Sequence, residues 1–207
     1  MASKHTNLTF KDIYAVNVFL NEQLEDWCYQ KSREAYTSLA KVLLAKIIVF
    51  NRIKAGEASR ITVFDLAFSD KVQDAKLPDS ITQNVDKLTL SLENQRYKLF
   101  FTPKKGDVAF MLLSDLMVKR MRDLRQLRKE LNLTKYHYLF SDPNTPETPL
   151  SSRSALYEAA QGAKLSMSYK LTAYALRAHY AEFTQDFSLY SKSASAISDY
   201  DSESYED

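Results

Sequence analysis

The sequence has few of the residues that build disulfide-bonded, metal-binding or membrane proteins. Its 207 residues include a single cysteine, Cys28, which excludes an intramolecular disulfide and a cysteine-rich zinc site. Its three histidines, His5, His137 and His179, lack the close spacing of metal ligands. We therefore expect no metal or other cofactor, and a reducing, intracellular compartment.

Long apolar runs and phosphate-binding loops are also missing. The longest apolar stretch, residues 42–50, is interrupted by Lys46, and residues 1–10 contain no run of signal-peptide length. Neither GxxxxGK[ST] nor GxGxxG occurs, so the kinase and oxidoreductase classes lose their main support. The sequence predicts a protein without a targeting or membrane-spanning segment.

Glycine and proline are scarce, with three and five residues, so long stretches are free to be helical. Apolar residues recur at the helical period over residues 10–31, and residues 33–52 form a second segment that is apolar nearly all round at its centre. The second helix is predicted to be the most deeply buried. Further helices are predicted at residues 154–163 and 171–186, and residues 141–152 are predicted to be a loop that leads into the first of them.

A change to period two predicts a small β-sheet. Apolar and polar residues alternate over residues 88–92 and again over 97–101, which indicates a β-hairpin spanning residues 86–102. Asp107 is predicted to begin a helix with an apolar face running from Val108 to Met117, and residues 138–140 to form a short strand. The predicted fold class is mainly α with a small antiparallel β-sheet.

The charge is unevenly distributed along the chain. The net charge is +2, but residues 199–207 hold five acids and no base, so the remainder carries +7. A moderately basic body with an acidic end is compatible with a polyanionic partner. Residues 188–207 are rich in Ser, Asp, Glu and Tyr, and we expect them to form a disordered tail.

One cluster of basic residues has the spacing of a helix face. Lys119, Arg122, Arg125 (or Gln126) and Lys129 recur every three or four residues, with Arg120 and Arg128 flanking them. Such a row is either a solvated helix face or a surface for DNA phosphates, which position a protein without reading sequence.

Two strings carry a resemblance to a known family: "LAKVLLAKIIVFNRIKAGEASRITVFDL" at residues 39–66 and "LTAYALRAHYAEFTQ" at 171–185, with "YLFSDP" between them. Together they resemble the catalytic core of tyrosine recombinases, closest to the transposon-derived, Crypton-like proteins of animal genomes. The resemblance covers about residues 31–185. It implies a truncated DNA breaking-rejoining fold, with an N-terminal helical segment at 1–32, a core-like domain at 33–187 and a tail at 188–207, and a nuclear location in a eukaryote.

In that family, two arginines hold the phosphate oxygens on which negative charge develops. The resemblance assigns the first arginine to Arg52, with Arg60 in the same motif, and the second to Arg177. The hairpin turn, where the family has a catalytic lysine, offers Arg96 and, two residues later, Lys98. The implied partner is double-stranded DNA, bound through Arg52, Arg60, Arg96, Arg177 and the row Lys119, Arg122, Arg125 and Lys129.

The departures from the family pattern predict that strand cleavage is lost. Tyr174 stands where the second motif has a histidine, and a phenol with a pKa near 10 is a poor general acid or base. In the family that this chain resembles, the nucleophile is a tyrosine that follows the second motif. The candidates here, Tyr190, Tyr200 and Tyr205, lie in the predicted tail, and acids surround the last two. The predicted function is DNA binding inherited from a DNA recombinase or integrase, without enzymatic activity.

Two alternatives are compatible with the same residues. The chain could be a helical protein-interaction module on a recombinase-derived fold, with a protein partner or a second copy of itself. It could also be a fragment of a longer, active recombinase, whose further residues would supply the nucleophile.

Overall fold

The computed structural model describes residues 8–67, 70–71, 96–101, 109–135 and 137–182. These residues form seven α-helices, one short 3-10 helix and three strands, and they confirm the predicted mainly helical class with a small antiparallel sheet. In chain order the elements are α1 (Phe10–Glu25), α2 (Arg33–Asn51), α3 (Ala55–Ser59), α4 (Val63–Ala67), β1 (Asp70–Lys71), β2 (Arg96–Phe101), β3 (Ala109–Ser114), α5 (Asp115–Glu130), α6 (Ser152–Gly162), the 3-10 helix (Ser168–Lys170) and α7 (173–182).

Helix α2 is the centre of the core, as its apolar composition predicts. It begins at Ser32, whose hydroxyl accepts a hydrogen bond of 3.0 Å from the Ala35 N–H and so satisfies one of the free N–H groups of the first turn. Helices α1, α5 and α6 pack around it. Its residues from Leu43 to Val49 are buried without interruption, Lys46 included.

Helix α1 begins where the sequence predicts but ends earlier, at Glu25 rather than Lys31. The side chain of Arg120, on α5, donates hydrogen bonds of 2.6 Å to the Leu24 carbonyl and 3.1 Å to the Glu25 carbonyl. A cation at a helix C-terminus stabilises the exposed carbonyls. The end of α1 is therefore stabilised by a residue almost a hundred positions away, a contact that a local pattern does not reveal.

The sheet is antiparallel, in the order β1-β2-β3. Strand β2 coincides with the second half of the predicted hairpin, whereas the first half, residues 88–92, lies outside the described residues. The helix predicted to begin at Asp107 is wrong, because residues 109–114 are strand β3 and pair with β2, Met111 opposite Leu99. A helix begins only at Asp115, after Ser114 caps it.

The strand predicted at residues 138–140 is reduced to isolated bridges, Thr62 with Tyr138 and Ser141 with Pro149. The predicted helices at 154–163 and 171–186 correspond to α6 and α7, and the residues after 182 are not described. In the described ranges, no helix combines the length and the apolar character that crossing a membrane requires.

Candidate nucleic-acid interface

Helix α5 presents a row of basic side chains because its two faces differ in polarity. Its inner face buries Met117, Met121, Leu124 and Leu127 in the core. The opposite face carries Lys119, Arg122, Arg125 and Lys129, all four exposed. From Lys119 to Lys129 the row rises ten residue steps, or about 15 Å at the helical rise. We call these four residues the α5 cationic face.

No member of the α5 cationic face is in an ion pair with any other described residue. The ion pairs of that part of the chain involve other cations, such as Arg120 with Asp123 at 3.1 Å. The nearest acid at the end of the helix, Glu130, accepts a hydrogen bond from Gln126 at 2.9 Å. Within the described part of the chain, these four cations therefore have no carboxylate at ion-pair distance.

Two basic residues that were predicted to flank this row are buried instead. Arg120 caps α1, as described above, and its guanidinium carbon lies 5.2 Å from the centre of the Trp27 ring. Arg128 is 1% exposed and donates hydrogen bonds to the Ser141 hydroxyl and, at 3.0 Å, to the Leu133 carbonyl. Both side chains stabilise the fold and do not belong to the surface.

Arg52 occupies a strained position at the end of α2. Its backbone is left-handed, with φ 56° and ψ 26°, a conformation that disfavours side chains larger than glycine. The preceding residue, Asn51, fixes this end of the helix to β3, because its side-chain amide donates to the Leu112 carbonyl at 2.9 Å and accepts from the Leu112 N–H at 2.7 Å.

The guanidinium of Arg52 contains a buried hydrogen-bond donor. Its Nη1 atom is buried and has no hydrogen-bond partner among the described residues, whereas buried polar groups of folded proteins are nearly always hydrogen-bonded. Burial lowers the pKa of Arg52, and the electrostatic effect of Tyr180 opposes that shift. A strained arginine with an unpartnered donor is the type of feature that clusters at functional sites.

Arg52 lies near α7, the helix that carries Arg177, because Tyr180 of that helix affects the pKa of Arg52. Arg177 is half-buried one turn before Tyr180, and Tyr174, another turn earlier, is exposed. The recombinase resemblance also predicts that the guanidinium groups of Arg52 and Arg177 face one shared groove, and this stays a prediction.

The other candidate residues are more dispersed. Arg60 is exposed and folds back to donate a hydrogen bond of 2.9 Å to the Gly56 carbonyl. Arg96 and Lys98 lie in β2, but their side chains are outside the described part of the structure, as are Tyr190, Tyr200 and Tyr205.

A pocket beside the C-terminal half of α5 was not predicted from the sequence. It has a volume of about 500 Å³ and is lined by α4, α5 and the segment that follows α5: Thr62, Val63, Phe64, Arg125, Arg128, Lys129, Thr134 and His137. The wall is assembled by tertiary hydrogen bonds, since the Val63 N–H donates to the His137 carbonyl at 3.0 Å and the Leu139 N–H to the Ile61 carbonyl at 2.8 Å.

The described residues contain no cluster of His, Cys, Asp or Glu that could hold a metal ion. Comparison with protein families gives no match, and neither a curated protein nor a solved structure shows significant similarity to this chain.

Proposed function

We propose that this protein binds double-stranded DNA through the phosphate backbone, on a fold derived from a tyrosine recombinase, and does not cleave the strand. The observation that carries the proposal is the α5 cationic face, four exposed cations in one row that form no ion pair with a carboxylate of the described residues. Duplex DNA carries one negative charge per about 1.7 Å of its axis, and each phosphate neutralised by Lys or Arg releases condensed counterions. A row of about 15 Å is long enough to meet several phosphates.

Arg52 supports the same proposal from a second position. A guanidinium is planar, permanently charged and suited to two oxygens of one phosphate. The unpartnered Nη1 of Arg52 would gain a hydrogen bond on binding, and Arg177 on α7 is the second arginine that the recombinase resemblance implies. In a eukaryotic cell, this function places the protein in the nucleus.

Loss of cleavage is proposed from the residue at the histidine position of the second motif. Tyr174 is exposed on α7 and carries a phenol where the motif of the family has an imidazole. A phenol titrates too far above neutral pH to replace a histidine in proton transfer. Loss of this catalytic group leaves DNA binding in place, because phosphate contacts need only cations.

The test is a salt titration of binding to a duplex of about 20 base pairs, followed by fluorescence anisotropy. Four phosphate contacts give a slope of about −3.6 in log affinity against log salt. Arg122→Gln should weaken binding and flatten the slope by about 0.9. Arg153→Gln, an equal charge change at an exposed position of α6, is the matched control and should change neither.

Two results would oppose the proposal: no duplex binding at low salt, or equal losses in the two variants. The first would favour the second candidate, a protein-interaction module. Its support is the apolar surface of the sheet, where the rings of Phe100 and Phe110 are both exposed and lie 6.3 Å apart. Exposed aromatic residues are enriched at protein interfaces.

A further inference from the structure

The pocket beside α5 combines an apolar surface with a cationic one. On one side, Val63 and Phe64 present apolar surface, and Phe64 is 70% exposed although it is a large aromatic residue. On the other side, Arg125 and Lys129 present two exposed cations one helical turn apart. The volume of about 500 Å³ is in the range of small-molecule sites.

The charge of this pocket has one sign. Among its described lining residues none is acidic. Asp65, which follows Phe64, is turned toward Thr62 and accepts hydrogen bonds of 2.8 Å from both the N–H and the hydroxyl of that residue. An anionic group of a ligand would therefore meet cations at one wall and a flat apolar surface at the other.

We propose that this pocket binds a nucleotide, with its phosphate on Arg125 and Lys129 and its planar base against Phe64. Aromatic side chains bind bases of any sequence by stacking, and adjacent cations hold the phosphate. The nucleotide is either a free mononucleotide or an unpaired nucleotide of a strand, since both present the same base and phosphate. The proposal does not depend on duplex binding, although Arg125 and Lys129 belong to both surfaces.

The test uses the full chain and isothermal titration with adenosine monophosphate, adenosine and inorganic phosphate. We expect saturable binding of adenosine monophosphate with a Kd of roughly 0.1 mM, and much weaker binding of the other two. Phe64→Leu should weaken it about tenfold and Phe64→Tyr, which keeps a ring, by less than about twofold. Lys129→Gln should weaken it about fivefold. Because Phe64 is highly exposed, neither substitution should disturb the fold, and circular dichroism checks this.

The matched control is Arg122→Gln, on the same helix but outside the pocket lining. It should leave adenosine monophosphate binding unchanged within about twofold while it weakens duplex binding, so the two proposals fail separately. A ten-nucleotide single strand that binds more tightly than the mononucleotide, with the same sensitivity to Phe64→Leu, would assign an unpaired nucleotide of a strand. Equal or weaker binding of the strand would assign a free nucleotide. The proposal is overturned if phosphate binds as well as the nucleotide, if Phe64→Leu has no effect, or if Arg122→Gln weakens nucleotide binding as much as Lys129→Gln does.

Discussion

Because Lys46 is buried, the free energy of unfolding should rise as the pH increases above about 8 and the folded protein releases the Lys46 proton. Lys46 is 5% exposed in the middle of α2, where its Nζ donates a hydrogen bond to Asn17 and lies 5.9 Å from the centre of the Phe50 ring. Burial lowers its pKa from 10.5 to about 8. The folded protein therefore releases this proton near pH 8, whereas the unfolded chain keeps it until about pH 10.5.

The direction and size of the effect follow from proton linkage. Between pH 8 and 10.5, the unfolded state binds more protons than the folded state, so the free energy of unfolding rises with pH in this window. At 1.36 kcal/mol per pH unit, the gain from Lys46 reaches about 3 kcal/mol at the upper end. Below pH 8 this gain is absent, because both states hold the proton.

Urea unfolding at pH 7, 8, 9 and 10, followed by circular dichroism, measures this gain when wild type is compared with Lys46→Met. Methionine has a similar shape and no charge, so its stability profile should lack the rise. Lys41→Met, on the same helix but at a half-buried position where the ammonium pairs with Glu158, is the control and should keep the rise with pH. The other titrating groups are common to wild type and Lys46→Met and cancel in the difference between these two proteins. Parallel profiles for wild type and Lys46→Met would refute the reasoning.

Three further predictions concern the fold and the chemistry. Arg128→Met should destabilise the protein by about 3 kcal/mol in urea unfolding, because the Ser141 hydroxyl and two carbonyls lose a buried donor; a loss near zero would mean that Arg128 is not structural. Gly162→Ala should cost about 1 to 3 kcal/mol, since a Cβ there would lie 2.1 Å from the Phe19 ring, and an unchanged thermal midpoint would contradict that packing. With Tyr174 at the histidine position, a nicked DNA substrate should give no covalent protein adduct on a denaturing gel, and a tyrosine-linked adduct would contradict the proposed loss of cleavage.

Much of the helical core could be predicted from the sequence, because it depends on local periodicity and capping. Helix α2 is the best example, since its centre, apolar apart from Lys46, and the Ser32 cap specify both its burial and its start. Strand β3 was mispredicted because residues 108–117 are apolar almost throughout and fit either period. Pairing with β2 decides the outcome there, and that contact is not a local property.

The candidate site, too, could be predicted from the sequence only in part. The spacing of the α5 cationic face is visible in the sequence, yet burial removes Arg120 and Arg128 from it. Their positions beside Met121 and Leu127 on the inner face of the helix are the signal that was available. The left-handed backbone of Arg52 has no sequence signature, because arginine is not a residue that this conformation favours. The pocket brings together residues more than sixty positions apart, so it could not be predicted from the sequence either.

Arg52 and Lys164 allow a direct test of DNA binding, because both are basic residues with left-handed backbone, at φ 56° in each case. Glycine accepts this conformation without strain, so Arg52→Gly and Lys164→Gly should each be at least as stable as wild type while each loses one positive charge. Duplex affinity measured across salt concentrations then separates specific contact from net charge. The account predicts that Arg52→Gly binds duplex DNA about tenfold more weakly, with a slope flatter by about 0.9, and that Lys164→Gly binds like wild type. Equal affinities for the two glycine variants would contradict it.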